Sequence, residues 1–261
     1  MKSRFIRSLL SAAAALLLSA ASTPVTVVVN RGTTPTINET FSGWTGNPLT
    51  DGIFRVNGNW SGSGGNTIEQ KLASVATNDL TLTEIATAGC PGTLSACQAS
   101  EIQTLANPGF GYGYYEVMIK PSCHGGGVAS FFVQQVGYVS PEFDIEFLLN
   151  TPNTVDFTDH PLDGSSFVYN LGFNPCQSFN TYGILWVNNG NGTATVSNTV
   201  NGTVVHSRTG SQLLKPAIGM LIMANTWSGN ANFGGTAPAA PGATTTYQWI
   251  KFYAGATAPV P

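Results

Sequence analysis

The sequence predicts an all-β fold, a β-sandwich in a single domain, from three observations. Strand-like runs with period-two alternation recur at short intervals along the chain. Gly 30 and Pro 15, with many Thr, Asn and Ser, punctuate those runs. No long amphipathic helical pattern follows the N-terminal segment, and there is no internal repeat.

The elements follow in chain order. Met1 to Ser22 carries Lys2, Arg4 and Arg7, then an apolar run from Leu9 to Leu18, then Ser19-Ala20-Ala21. That is the layout of a secretory signal peptide, which places a boundary at residues 1–21 and leaves 22–261 as the single domain. The apolar run is too short for a bilayer, which takes about 20 residues, so the mature chain is expected to be secreted and free of the membrane. Leu80 to Ile85 alternates, as does Gly113 to Lys120, ended by Pro121. Ala129 to Val133 reads as a buried strand, and Glu142 to Leu149 as an acidic one. Phe179 to Val187, Ala194 to Val196 and Thr203 to His206 follow, with Asn201-Gly202 as a hairpin turn. Ile218 to Ala224 and Thr245 to Tyr253 complete the set. Residues 57–66 and 228–244 read as loops.

The chain has a net charge of −3 and only 9% charged residues, with no basic cluster, so nucleic acid is excluded as a partner. Cys90, Cys97, Cys123 and Cys176 make an even set in an exported chain and predict two disulfides. A short Cys90–Cys97 loop with a long-range Cys123–Cys176 link is one of three possible pairings. A zinc site is disfavoured, because CxxC spacing is missing and His124 is the one histidine near a cysteine.

The most informative stretch is Glu142-Phe143-Asp144-Ile145-Glu146, three acids within five positions. On a strand, the acids share one face and Phe143 and Ile145 the other. Like charges on one face repel, so stability alone does not favour the pattern. Glycoside hydrolysis needs such a group: one carboxylate to attack, one carboxylic acid to protonate the leaving oxygen. A Ser-His-Asp triad is not supported, since no Gly-x-Ser-x-Gly elbow exists.

Six blocks in order make the chain resemble glycoside hydrolase family 16, in its licheninase (β-1,3-1,4-glucanase) branch. They are Tyr112 to Pro121, Ser130-Phe131-Phe132, Glu142 to Leu148, Phe179 to Trp186, Met223 to Gly229 and Tyr247 to Tyr253. The resemblance covers roughly residues 75–254. It implies a concanavalin-like jelly-roll β-sandwich of two bent antiparallel sheets, whose cleft holds a polysaccharide substrate. It also implies catalytic roles: Glu142 as nucleophile, Glu146 as general acid/base, and Asp144 holding and tuning both. The expected activity is that of a secreted, monomeric endo-β-glucanase, a glycosidase with a retaining mechanism, acting on mixed-linkage β-glucan. A transglycosylase of the same family, and a carbohydrate-binding protein without catalysis, are the alternatives. Retaining carboxyls sit about 5–5.5 Å apart, whereas four residues of straight strand span about 13 Å. The two side chains are therefore expected to lean together across a curved strand.

Substrate contacts are expected from Trp227, Asn225, Glu101 and Tyr112. Trp186 and Trp249, inside strand patterns, are expected in the core. The chain departs from the family at three places. Ser140-Pro141 stands where licheninases carry a Trp-Asp pair, so a stacking ring is missing. Glu101-Ile102-Gln103 lacks the Arg of an upstream Glu-x-Arg. Gln248 replaces an Asp that helps hold a structural calcium in relatives, so no cofactor and no metal site is expected.

Overall fold

The sandwich closes because nearly every long strand carries an apolar face that needs a partner layer. The computed structural model describes residues 34–257, apart from 47–48, 59, 62–64, 91–95, 106–109, 138, 161–164 and 216–218. The expected signal peptide lies outside the described residues. Among those described, no helix is long and apolar enough to cross a membrane.

The described strands are β1 (Ile37–Glu39), β2 (Phe54–Val56), β3 (Trp60–Ser61), β4 (Thr67–Ile68), β5 (Ala73–Ala76), β6 (Asp79–Ala86), β7 (Cys97–Thr104), β8 (Gly113–Lys120) and β9 (Val128–Gln135). Then come β10 (Val139–Leu148), β11 (Thr154–His160), β12 (Ser165–Asn170), β13 (Asn180–Asn188), β14 (Ala194–Val200), β15 (Thr203–Gly210), β16 (Met220–Trp227) and β17 (Ala243–Ala254). One layer runs β2-β7-β16-β9-β10-β11-β12. The other runs β5-β6-β17-β8-β13-β14-β15, with β1 also on β17. Ile85 and Ala86 of β6 pair with Gln98 and Cys97 of β7, which joins the two layers at an edge. The two expected sheets are thus the layers of one continuous sheet of 17 strands doubled over on itself. A short parallel pairing of β4 with β7 departs from the antiparallel rule.

The core lies between the layers. Phe131, Val133, Phe143, Ile145 and Phe157 from one layer meet Tyr115, Val117, Tyr182, Ile184 and Trp186 from the other. Phe143 packs edge-on against Trp186 at 5.2 Å, and Phe147 against Tyr182 at 4.9 Å. Each such buried side chain contributes about 1.5–3 kcal/mol. Trp186 donates its indole N–H to the Leu213 carbonyl at 2.7 Å, so its one polar atom is satisfied.

Trp249 corrects an expectation. It is half-buried, with the Lys251 ammonium 4.2 Å from its ring centroid, and lies outside the core. The β17–β8 register slips between Tyr247 and Trp249. The extra residue, Gln248, resets the alternation, so Tyr247, Ile250 and Phe252 point inward instead. The disulfides join Cys90 to Cys97 and Cys123 to Cys176. Residues 57–66, read as loop, contain the two-residue strand β3. β2, β5, β7 and β12 are further strands that periodicity alone does not mark.

Candidate active site

β10 is placed by its apolar face. Phe143 and Ile145 are fully buried and Phe147 nearly so, and this pins the strand between β9 and β11. Glu142, Asp144 and Glu146 therefore face away from the core. From Glu142 to Leu148 the register with β9 is unbroken. Just before it, pairing jumps from Val139–Gln135 to Glu142–Gln134, so Ser140 and Pro141 bulge out of the ladder. Pro141 has no N–H to offer that ladder, which suits it to the bulge. The missing stacking ring of the sequence comparison falls at this irregularity.

The neighbouring strands supply one cross-strand partner for each acid on either side. On β11, His160 stands opposite Glu142, Thr158 opposite Asp144 and Asp156 opposite Glu146. On β9 the partners are Gln134, Phe132 and Ser130. Beyond β9, β16 places Asn225 next to Ser130 and Trp227 next to Val128. The three acids with Ser130, Phe132, His160, Asn225 and Trp227 line a cavity of about 190 Å³. Phe132, Leu221 and Met223 form a small apolar cluster on this face, separate from the main core.

Hydrogen bonds orient the acids. The Gln134 amide donates to Glu142 Oε2, and the Thr158 hydroxyl donates to Glu146 Oε2 at 3.4 Å. His160 Nε2 lies 3.3 Å from Asp144 Oδ2, an ion pair whenever the imidazole is protonated. The cavity lining contains no Lys or Arg. With carboxyls crowded and desolvated, protonation is the way to lower the charge. Burial first, then the charges of Glu142 and Glu146, push Asp144 well above the usual carboxylate range. Asp144 also shares a hydrogen bond with Glu142. Glu146 is pushed up to about 7, by burial first, then by the Asp156 charge, against which Thr158 acts; Glu142 adds to the rise. A carboxyl that stays protonated near neutral pH beside an ionisable carboxylate is the arrangement a general acid needs.

The other expected residues divide. Asn225 accepts from the Ser130 hydroxyl and donates to Glu101 Oε2 at 3.2 Å. Glu101 also accepts from Asn57 at 2.8 Å, so it stands behind Asn225 in a buried polar row, raised by burial. Trp227 ends β16 in the cavity wall, stacked on Phe233 with ring centroids 5.8 Å apart. Tyr112 does not reach the cavity, which corrects the expectation for it. Its ring packs on Trp186 at 4.7 Å, and its hydroxyl accepts the Lys215 N–H at 2.7 Å. The reason is topological: Tyr112 leads into β8, which lies in the opposite layer with the core between.

Gln134, Ser130, Phe132, Thr158 and Asn57 were not legible as site residues. The run Ala129 to Val133 reads as buried on both faces, which hides which face meets the cleft. The available signal was polarity: Ser130 and Gln134 share a face and interrupt an otherwise apolar strand. Gln248, at the Asp position tied to calcium in relatives, is exposed on the β17 bulge. Among the described residues, no group of three or more His, Cys, Asp or Glu side chains could hold a metal.

The model of the glycosyl hydrolases family 16 matches residues 54–251, which contain the whole site. The chain belongs to glycosyl hydrolase family 16. A Beta-glucanase of Brevibacillus brevis is 34% identical over 139 residues, covering 51% of this chain and 50% of that protein. The chain spans between 25% and 60% of the length of the beta-glucanases it matches. The solved Bacillus licheniformis beta-glucanase superposes with a TM-score of 0.66 at 23% identity, over 85% of this chain and 99% of that one. A laminarinase from Flavobacterium sp. UMI-01 superposes equally well, with a TM-score of 0.67 at 18% identity, over 84% and 100%. At such identities the superpositions show the shared jelly-roll fold.

Proposed function

We propose that this family 16 chain is an exported endo-β-glucanase that cleaves mixed-linkage β-1,3-1,4-glucan with retention of configuration. The observation that carries the reading is the unbroken β10 ladder from Glu142 to Glu146, which sets both carboxyls on one face with Asp144 between them. Glu142, oriented by Gln134, attacks the anomeric carbon as Glu146 gives its proton to the glycosidic oxygen. Water then enters, Glu146 takes its proton, and the sugar leaves Glu142. Asp144 shares its proton with Glu142, which restrains the nucleophile before attack and disperses its charge after release. Trp227 offers a ring face to a sugar, and Asn225 a hydrogen-bonding amide. The β-glucan substrate is supported by the beta-glucanase relatives, and its mixed linkage by the resemblance of the six sequence blocks to the licheninase branch.

The test is release of reducing ends from barley β-glucan, lichenan, laminarin, xyloglucan and carboxymethyl cellulose, with Glu146→Gln as control. Activity confined to barley β-glucan and lichenan, with a first product of unchanged anomeric configuration by NMR, is the expected result. Laminarin as the preferred polymer would overturn the substrate. Chains longer than the starting material would replace hydrolysis with transfer. An inverted first product would overturn the mechanism.

A further inference from the structure

The acid strand is faced by a graded partner strand. Along β11 the residues opposite Glu142, Asp144 and Glu146 are His160, Thr158 and Asp156: a base, a neutral hydroxyl and an acid. Directly opposed residues of an antiparallel pair have Cβ atoms about 4.5–5.5 Å apart, and diagonal neighbours are also within reach, as His160 meets Asp144 and Thr158 meets Glu146. We propose that Asp156 is a positioning residue whose carboxylate, set straight across from Glu146, keeps that carboxyl protonated for transfer to the glycosidic oxygen. The proposal rests on the reading of Glu146 as the acid/base.

The surroundings of Glu146 favour this role. From its own strand Asp144 and Glu142 face it; from β11, Asp156 and, at the far end, His160. From β9 comes Ser130, and from β16 Asn225 and Trp227, none of them charged. Glu101 of β7 stands behind Asn225 and is engaged by Asn57 and Asn225. Asp156 is 7% exposed, so its charge acts across a poorly solvated gap. Burial raises Asp156 as well, but aspartic acid is intrinsically the stronger acid of the opposed pair, so it ionises first and the penalty falls on Glu146. His160 at the other end does the opposite, favouring negative charge near the nucleophile when protonated. β11 thereby gives the two ends of the acid row unlike electrostatic partners. The proton balance is unaffected: the proton Glu146 gives to the leaving oxygen returns from the attacking water, and Asp156 stays ionised throughout.

The test is Asp156→Asn, with Asp156→Glu as conservative rescue and Asp156→Ser as a second neutral variant should Asn impair folding. Two readouts are taken: the pH profile of kcat/KM on barley β-glucan, and NMR titration of the carboxyl carbons, with Glu146→Gln assigning the signal. In the neutral variants the alkaline limb and the Glu146 titration are expected to move down by about one pH unit or more, and to return in Asp156→Glu. A Glu146 carboxyl that titrates at an unchanged pH in folded Asp156→Asn or Asp156→Ser overturns the proposal. If Glu146→Gln remains fully active, the acid/base reading itself fails. If Glu146→Gln is dead and the limb does not move, only the role of Asp156 fails.

Discussion

The two faces of β10 make opposite demands, one apolar and buried in the core, the other acidic and lining a cavity. Phe143 and Ile145 are fully buried against aromatic neighbours and have no polar demand. One residue away on each side, Glu142, Asp144 and Glu146 crowd like charges into a cavity without Lys or Arg. The first face gains free energy from burial and the second forgoes it, since grouped, desolvated carboxyls resist ionisation. The lesson is a division of labour along a single strand: the apolar side makes the backbone rigid enough to hold the acids where they repel. Stability and activity should therefore separate cleanly by face.

The largest expected effect tests the acid face. Glu146→Gln should lower turnover by about 10²–10⁴-fold, the usual contribution of a general acid, and Glu142→Gln by at least as much. Both should leave the melting temperature within a few degrees of the parent. A large loss of stability in either would break the comparison. On the same face, activity should fall as pH rises through about 7, because Glu146 must be protonated to act and is held up to that value by burial and Asp156. A pH–rate profile of kcat/KM checks this.

The inward face should behave in the opposite sense. Phe143→Ala removes a fully buried ring and should cost about 3–5 kcal/mol in denaturant unfolding. The surviving folded fraction should keep its turnover number. Next come the disulfides, both outside the cavity lining. Cys123–Cys176 closes a separation of 53 residues and Cys90–Cys97 one of 7. Loop-closure entropy then predicts losses of about 4 and about 2 kcal/mol on paired Ser replacement. Thermal unfolding checks the order, and kcat should not follow it.

The smallest effect sharpens the comparison with an acid that lies inside. Glu84 of β6 is fully buried, and a Cβ at Gly127, which has φ of 107°, would collide with its carboxyl. Burial pushes Glu84 well above the usual range. Its folded form therefore holds a proton that the unfolded chain gives up, so stability is full at low pH and declines as pH rises above about 4.5. Glu84→Gln cannot titrate. It should flatten that decline and be more stable than the parent at pH 8 relative to pH 4, as read by denaturant unfolding at the two pH values.

Much of this was legible in the sequence. The period-two acids, the strand classes, the even cysteines and the Asn225 and Trp227 block all reappear as elements or cavity residues. What was not legible depended on pairing. Tyr112 was expected at the cleft because nothing local says which layer β8 joins. Trp249 was expected in the core because a one-residue bulge at Gln248 leaves no mark in the alternation. Gln134 and Thr158 reach the acids through the register of β9 and β11, and register is written by the whole sheet.

By itself the sequence determined that β10 exists and that its acids share a face, because side-chain alternation is a property of one extended chain. Only the tertiary structure decided that Asp156 meets Glu146, that His160 meets the Glu142 end, and that the cavity lining holds no Lys or Arg. Those facts set the electrostatics of the site. They arise from hydrogen-bonded neighbours that lie 10 or more residues away in sequence, as Asp156 does from Glu146.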